Sequence, residues 1–194
     1  MDHGMGNLRS VVRGLERAGA RARTSDDPET VARADRLVVP GVGHLADCMR
    51  ALEKRGLCDA IRSVARSGRP FLGICLGLHV LLEEGDEGPT PALGIFPGRV
   101  GRFPNRPGLP VPHMGWNRMR PTGSHPVLQD GYFYFVHGYR AEGIPEDLVL
   151  GTTEYGASFP SAVGKGGGVA VQFHPEKSQR SGLSLLERFC RWSP

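Results

Sequence analysis

Lysine is scarce. Only Lys54, Lys165 and Lys177 occur, and the rest of the positive charge is arginine scattered along the 194 residues. No basic block is interleaved with aromatics, so the net charge of +4 reads as solvated faces and gives no track for nucleic acid. No apolar run approaches the roughly 20 residues of a membrane-spanning helix, and no export leader opens the chain; the expectation is a cytoplasmic protein that binds neither nucleic acid nor membrane. The cysteines Cys48, Cys58, Cys75 and Cys190 lack the close pairing of a disulfide framework and the spacing of a zinc site. A reducing compartment fits, and neither a metal nor a cofactor is expected. Internal repeats and long linkers are also lacking, so residues 1–194 read as one domain with a sizeable core.

What is present is punctuation, 28 glycines and 16 prolines, between short apolar segments. Leu8, Val11, Val12, Leu15 and Ala18 form a helical stripe that Asn7 can cap. Ala20 to Thr24 is a weak strand. Arg36 to Val39 is a stronger one, ending in Pro40-Gly41-Val42-Gly43. Leu45 to Lys54 and Leu57 to Ser67 read as helices, Phe71 to Ile74 as a buried strand and Leu76 to Leu82 as the next helix. This alternation predicts an α/β fold: an open, mostly parallel sheet with helices on both faces. From residue 85 to 131 the chain is rich in Gly and Pro. Gly94 to Phe96, Val100 to Phe103 and His113 to Met119 there read as short strands of a small antiparallel layer. Tyr132 to His137, Val149 to Thr153 and Gly168 to Phe173 are further strands. Val163 to Gly168 is a hairpin turn region, and Ser181 to Arg191 is a closing amphipathic helix.

The chemistry centres on Gly73-Ile74-Cys75-Leu76-Gly77. A cysteine flanked by glycines between strand and helix is the thiol form of a nucleophile elbow. The helix start favours a thiolate. The bland alternative is a buried structural cysteine, which the paired glycines and the strand-to-helix setting oppose. A thiol nucleophile needs a base and a group that orients it. The segment Val169 to Phe173 runs into His174-Pro175-Glu176, where residues two apart share a face. His174 is the candidate base and Glu176 its holder. Leu76 N–H is a candidate oxyanion donor. The Gly41-Val42-Gly43 backbone is either a second donor or an ordinary strand-end turn.

Those residues resemble the class I (triad) glutamine amidotransferases, over nearly the whole chain. Within that class, Pro40-Gly41-Val42-Gly43, His113-Met114-Gly115-Trp116-Asn117, Tyr134-Phe135-Val136-His137 and His174-Pro175-Glu176-Lys177-Ser178 resemble the glutaminase subunits of imidazole glycerol phosphate synthase. The resemblance implies that Cys75 attacks the side-chain amide of L-glutamine, with His174 and Glu176 completing the triad. It implies that the oxyanion rests on Leu76 and the Gly41–Gly43 backbone, and that glutamate and ammonia are released. Ammonia would pass to a (β/α)8-barrel cyclase subunit, in a heterodimer that makes imidazole glycerol phosphate and AICAR in histidine biosynthesis. It also implies that Gly138 and Tyr139 hold the glutamine α-substituents. Trp116, Tyr134 and Lys177 would meet the partner, their bland readings being core aromatics and a solvated lysine.

Three departures from the resemblance stand out. His79 occupies a substrate-contacting position where glutamine is usual, and His3 stands where the family usually has tyrosine. The first strand of the sheet is apparently missing, so a start upstream of Met1 is expected. Two alternatives share the motif: a glutaminase serving another ammonia-channelling synthase, and a catalytically impaired binding module on the same fold.

Overall fold

The computed structural model describes every residue except His3, Met5, Gly6 and Gly88; the departure at His3 therefore lies outside the described residues. Helices α1 (Leu8–Arg17) and α2 (Pro28–Ala32) precede strand β1 (Leu37–Gly41). Helices α3 (Leu45–Lys54) and α4 (Leu57–Arg66) lead to β2 (Phe71–Cys75) and α5 (Leu76–Leu81). Then come β3 (Glu84–Gly85), β4 (Thr90–Pro91), β5 (Arg99–Arg102), β6 (His113–Pro121), β7 (Gly131–His137) and β8 (Tyr139–Glu142). Strands β9 (Val149–Glu154), β10 (Ser158–Lys165) and β11 (Gly168–Val171) follow, and α6 (Gln179–Arg191) closes the order.

The larger sheet runs β1-β2-β11-β10-β9-β6-β7, and the smaller β4-β3-β5-β8. β1, β2 and β11 are parallel neighbours, while the strands beyond β11 pair antiparallel. β2 is buried along its whole length, as a strand with both faces covered must be. Phe71 joins a core with Leu52, Ile61, Leu78 and Phe96. Leu72 and Ile74 join another with Val11, Leu15, Phe173 and Phe189. The helix expectations hold for α1, α3, α4 and α5, and Asn7 caps α1 by accepting from Ser10 N at 3.4 Å.

Several expectations fail. Ala20 to Thr24 forms no strand. These residues line a groove of about 710 Å³ beside Leu37, Val38 and Pro40, and the groove separates them from the backbone they would have to pair with. β1 is accordingly the edge of its sheet. Gly94 to Phe96 is a bend, because the Gly94, Ile95 and Phe96 amides turn back onto the carbonyls of Leu82 and Leu81. The expected hairpin turn is present at Gly166-Gly167, between the paired Lys165 and Gly168, but β10, α2 and β8 were not anticipated. No helix among the described residues is long and apolar enough to cross a membrane.

Candidate active site

β2 ends on Cys75, and α5 begins at the next residue. The corner is strained: Cys75 has φ 54° and ψ −105°, a conformation side chains disfavour and that functional sites retain. Close packing requires the glycines. A Cβ on Gly77 would collide with the Val39 carbonyl oxygen, and one on Gly73 would lie 2.8 Å from Leu81 Cδ1. Thus β1 lies directly against the first turn of α5. Gly41 is in register with Cys75 across the β1–β2 ladder, and a Cβ on it would stand 3.0 Å from Leu76 Cβ. The Gly41-Val42-Gly43 segment therefore leaves β1 beside the elbow, turning through the positive φ of Gly43 (102°).

His174 comes from the segment after β11. Its Nδ1 is 2.8 Å from Glu176 Oε1, and both side chains are 2% exposed. Its Nε2 is buried and has no hydrogen-bond partner. Burial opposes a charged imidazole, but the adjacent Cys75 thiol and the Glu176 carboxylate outweigh it, and the His174 pKa is raised to about 9. The structure thus joins Cys75, His174 and Glu176, which lie far apart in the chain. The His174 amide donates to Tyr134 O at 2.9 Å. Ser178 Oγ donates to His174 O at 2.6 Å and accepts from Tyr134 N at 2.9 Å. His174 is therefore hung from β7 by its backbone.

His79, one turn after Cys75, is buried, with Nε2 3.0 Å from Gln172 Oε1. Burial is the largest cause that lowers its pKa, to about 4, so it is neutral at ordinary pH. Gly138 and Tyr139 form the bend from β7 into β8. Gly138 O accepts from Phe103 N at 3.1 Å. Trp116 and Tyr134 face each other across β6 and β7, with ring centroids 6.3 Å apart. Lys177 Nζ lies 5.9 Å from the Tyr134 ring centre. Trp116 is 48% and Met114 62% exposed, so this sheet edge presents an apolar patch with Lys177 beside it.

Sequence reasoning missed Gln172, Ser178 and Glu87. Glu87 Oε2 accepts from Leu45 N at 2.8 Å, and its Oε1 is 2.6 Å from His44 Nδ1. It thereby caps α3 and pins the residue after Gly43; nothing in its sequence surroundings signals this. Among the described residues no group of three or more His, Cys, Asp or Glu could hold a metal ion.

Residues 1–191 match the family described as glutamine amidotransferase class-I. The chain belongs to that family. Its relatives point to one branch. It is 49% identical to the imidazole glycerol phosphate synthase subunit HisH of Symbiobacterium thermophilum, over 98% of this chain and 92% of that one. The subunit of the same name from Dechloromonas aromatica is 48% identical, over 100% and 95%. A crystal structure of a glutamine amidotransferase superposes with a TM-score of 0.76 at 25% identity, covering 96% of this chain and 95% of that one.

Proposed function

We propose that this chain is the glutaminase subunit of an imidazole glycerol phosphate synthase and works through Cys75, His174 and Glu176. The observation that carries this reading is the buried imidazole held at Nδ1 by Glu176, with the Cys75 thiol beside the ring.

The Cys75 thiolate adds to the side-chain carbonyl carbon of glutamine. Charge moves to the oxygen, which the Leu76 N–H and the Gly41–Gly43 backbone receive. Imidazolium His174 gives its Nε2 proton to the amide nitrogen, the C–N bond breaks, and ammonia leaves a γ-glutamyl thioester. Neutral His174 then takes a proton from water, hydroxide adds to the thioester carbon, and the C–S bond breaks to release glutamate and restore the thiolate. Glu176 keeps Nδ1 protonated throughout, so Nε2 is the nitrogen that carries the proton traffic. Gly138 and Tyr139 hold the α-substituents of glutamine by their backbone, and His79 borders the same pocket.

Ammonia released into water would be protonated and lose its nucleophilicity, so a partner must receive it directly. The apolar edge made by Trp116 and Tyr134, with Lys177 beside them, suits a (β/α)8-barrel cyclase subunit carrying an acidic group opposite the lysine. No cofactor is involved on this side of the complex.

The test is glutamine hydrolysis by the chain assembled with such a cyclase, together with labelling by a glutamine-analogue electrophile. Expected are glutamate release dependent on the partner, and label confined to Cys75 and lost in Cys75→Ser. Label on another cysteine, or hydrolysis surviving Cys75→Ser, would overturn the reading.

A further inference from the structure

Four buried histidines, His79, His113, His137 and His174, surround the elbow and its neighbouring strands. The mechanism above uses only His174, and the substrate position only His79. His113 and His137 are left over, and their hydrogen bonds have a fixed direction. The two residues sit directly opposite across β6 and β7. His137 Nδ1 lies 2.7 Å from Tyr139 O. A carbonyl can only accept, so this nitrogen carries the proton and Nε2 is the acceptor. His113 Nδ1, 3.0 Å from that Nε2, must then donate, which leaves His113 Nε2 as acceptor. Asn117 Nδ2 is 3.2 Å from it and also donates to Glu154 O at 2.9 Å. The Asn117 Oδ1 accepts from Arg118 N at 2.7 Å. Every partner agrees with one assignment, and both rings are neutral.

The end of this chain of bonds is the Gly138–Tyr139 bend. The bond from Phe103 N takes Gly138 O, and the alternation of an antiparallel pair then turns the Tyr139 carbonyl away from β5. His137 is what that carbonyl meets. The His113 ring is gripped between Phe135, at 4.7 Å, and Tyr155, at 3.9 Å between ring centres, so it cannot swing to release the bond. The other end lies on β6 beside the exposed Trp116.

We infer that His113 and His137 are positioning residues of the glutamine site: they form a one-way hydrogen-bond chain from Asn117 to the Tyr139 carbonyl that sets the Gly138–Tyr139 backbone. This deepens the proposed function and rests on it. The pKa values agree with the geometry. Burial lowers that of His113 to about 4. Burial, then repulsion from His113, His79 and His174, lowers that of His137 to about 3 despite the bond to Tyr139. A proton added to either ring would point N–H at N–H and break the chain.

Two isosteres separate positioning from mere packing. In His137→Asn the side-chain amide falls where Nδ1 stood and keeps the bond to Tyr139 O. In His137→Gln the side-chain amide falls where Nε2 stood and keeps the bond to His113. Each variant loses one buried hydrogen bond, so their stability costs match. The measurement is steady-state glutamine hydrolysis by the complex with the cyclase subunit. We expect His137→Gln to raise KM for glutamine about tenfold with kcat within about threefold, the effect of losing one hydrogen bond that sets the site. His137→Asn stays within about threefold of the original KM. Equal KM values for the two variants, or a loss confined to kcat, would overturn the inference. Should neither variant fold, the tautomers are read directly: nitrogen NMR of the unaltered protein should show His113 and His137 both neutral and protonated at Nδ1, and a proton on Nε2 of either ring would overturn the inference. If the unaltered complex hydrolyses no glutamine, it is the proposed function that fails.

Discussion

His79→Gln tests whether the unusual histidine is carried as a neutral, buried group. In the folded protein its pKa is lowered to about 4, against 6.5 for the free side chain, chiefly by burial. The unfolded chain therefore takes up a proton below pH 6.5 that the folded chain refuses. Stability contributed by the neutral state is complete above 6.5 and is lost as pH falls toward 4. The slope is about 1.4 kcal/mol per pH unit for one such group, so about 2 kcal/mol has gone by about pH 5. Glutamine at this position does not titrate and can still pair with Gln172. His113 and His137 have lowered pKa values too, but both chains carry them and they cancel in the difference. His174 has the opposite sign. Its raised pKa makes a contribution that is complete below 6.5 and fades as pH climbs through about 9, outside this window. The assay is urea unfolding of both chains at about pH 7 and about pH 5, and the unaltered chain should lose about 2 kcal/mol more than His79→Gln. Equal losses would refute the neutral, buried assignment. The same variant in the cyclase complex should keep glutamine turnover within about threefold, because the buried hydrogen bond to Gln172 survives.

Glu176→Gln preserves an acceptor for His174 Nδ1 but removes the charge. The His174 pKa should fall from about 9, and glutamine turnover should drop by about 100-fold or more, read as a shifted pH–rate profile. Gly77→Ala drives a methyl group into the Val39 carbonyl, so β1 must move off α5. Roughly 3 kcal/mol of stability should be lost, with electrophile labelling at Cys75 slowed, as thermal unfolding and mass spectrometry would show. Ser178→Ala leaves His174 O and Tyr134 N without their side-chain partner in a buried place. A cost of roughly 2–3 kcal/mol in denaturant unfolding is expected, and kcat should fall as well.

The legible parts of this chain are those whose cause is local. Gly-x-Cys-x-Gly announces its turn because both glycines are forced by neighbours at the same corner. His174 and Glu176 declare themselves by sitting two apart after an apolar strand. The illegible parts depend on pairing. β10 contains Pro160, which cannot donate to a ladder, and its register with β9 shifts between Pro160 and Ala162 and again at Val163. Without regular alternation its first part gives no strand signal, while the Gly166-Gly167 turn that ends it is announced by its glycines. Ala20 to Thr24 has a strand's composition but meets no strand. The bond between His79 and Gln172 spans 93 positions, and that between His113 and His137 exists only once β6 and β7 are in register. Neither spacing is written in the sequence.

The site is divided between two regimes of the larger sheet. Cys75 and the Gly41–Gly43 segment belong to the parallel strands β1 and β2. His174 follows the third parallel strand, β11, yet its amide and carbonyl are tied, directly and through Ser178, to Tyr134 on the antiparallel edge strand β7. The side chain of that same Tyr134 stands between Trp116 and Lys177 on the exposed face. In the proposed complex a partner pressing on this face would bear on the residue whose backbone carries His174, while Cys75 stays anchored by the close contact of β1 with α5. Relative placement of sulfur and imidazole is then the quantity a subunit docked as proposed would adjust. This is why Ser178, which touches neither substrate nor partner in the proposed mechanism, should matter to kcat as well as to stability. Its hydroxyl is the joint through which the edge strand holds the base.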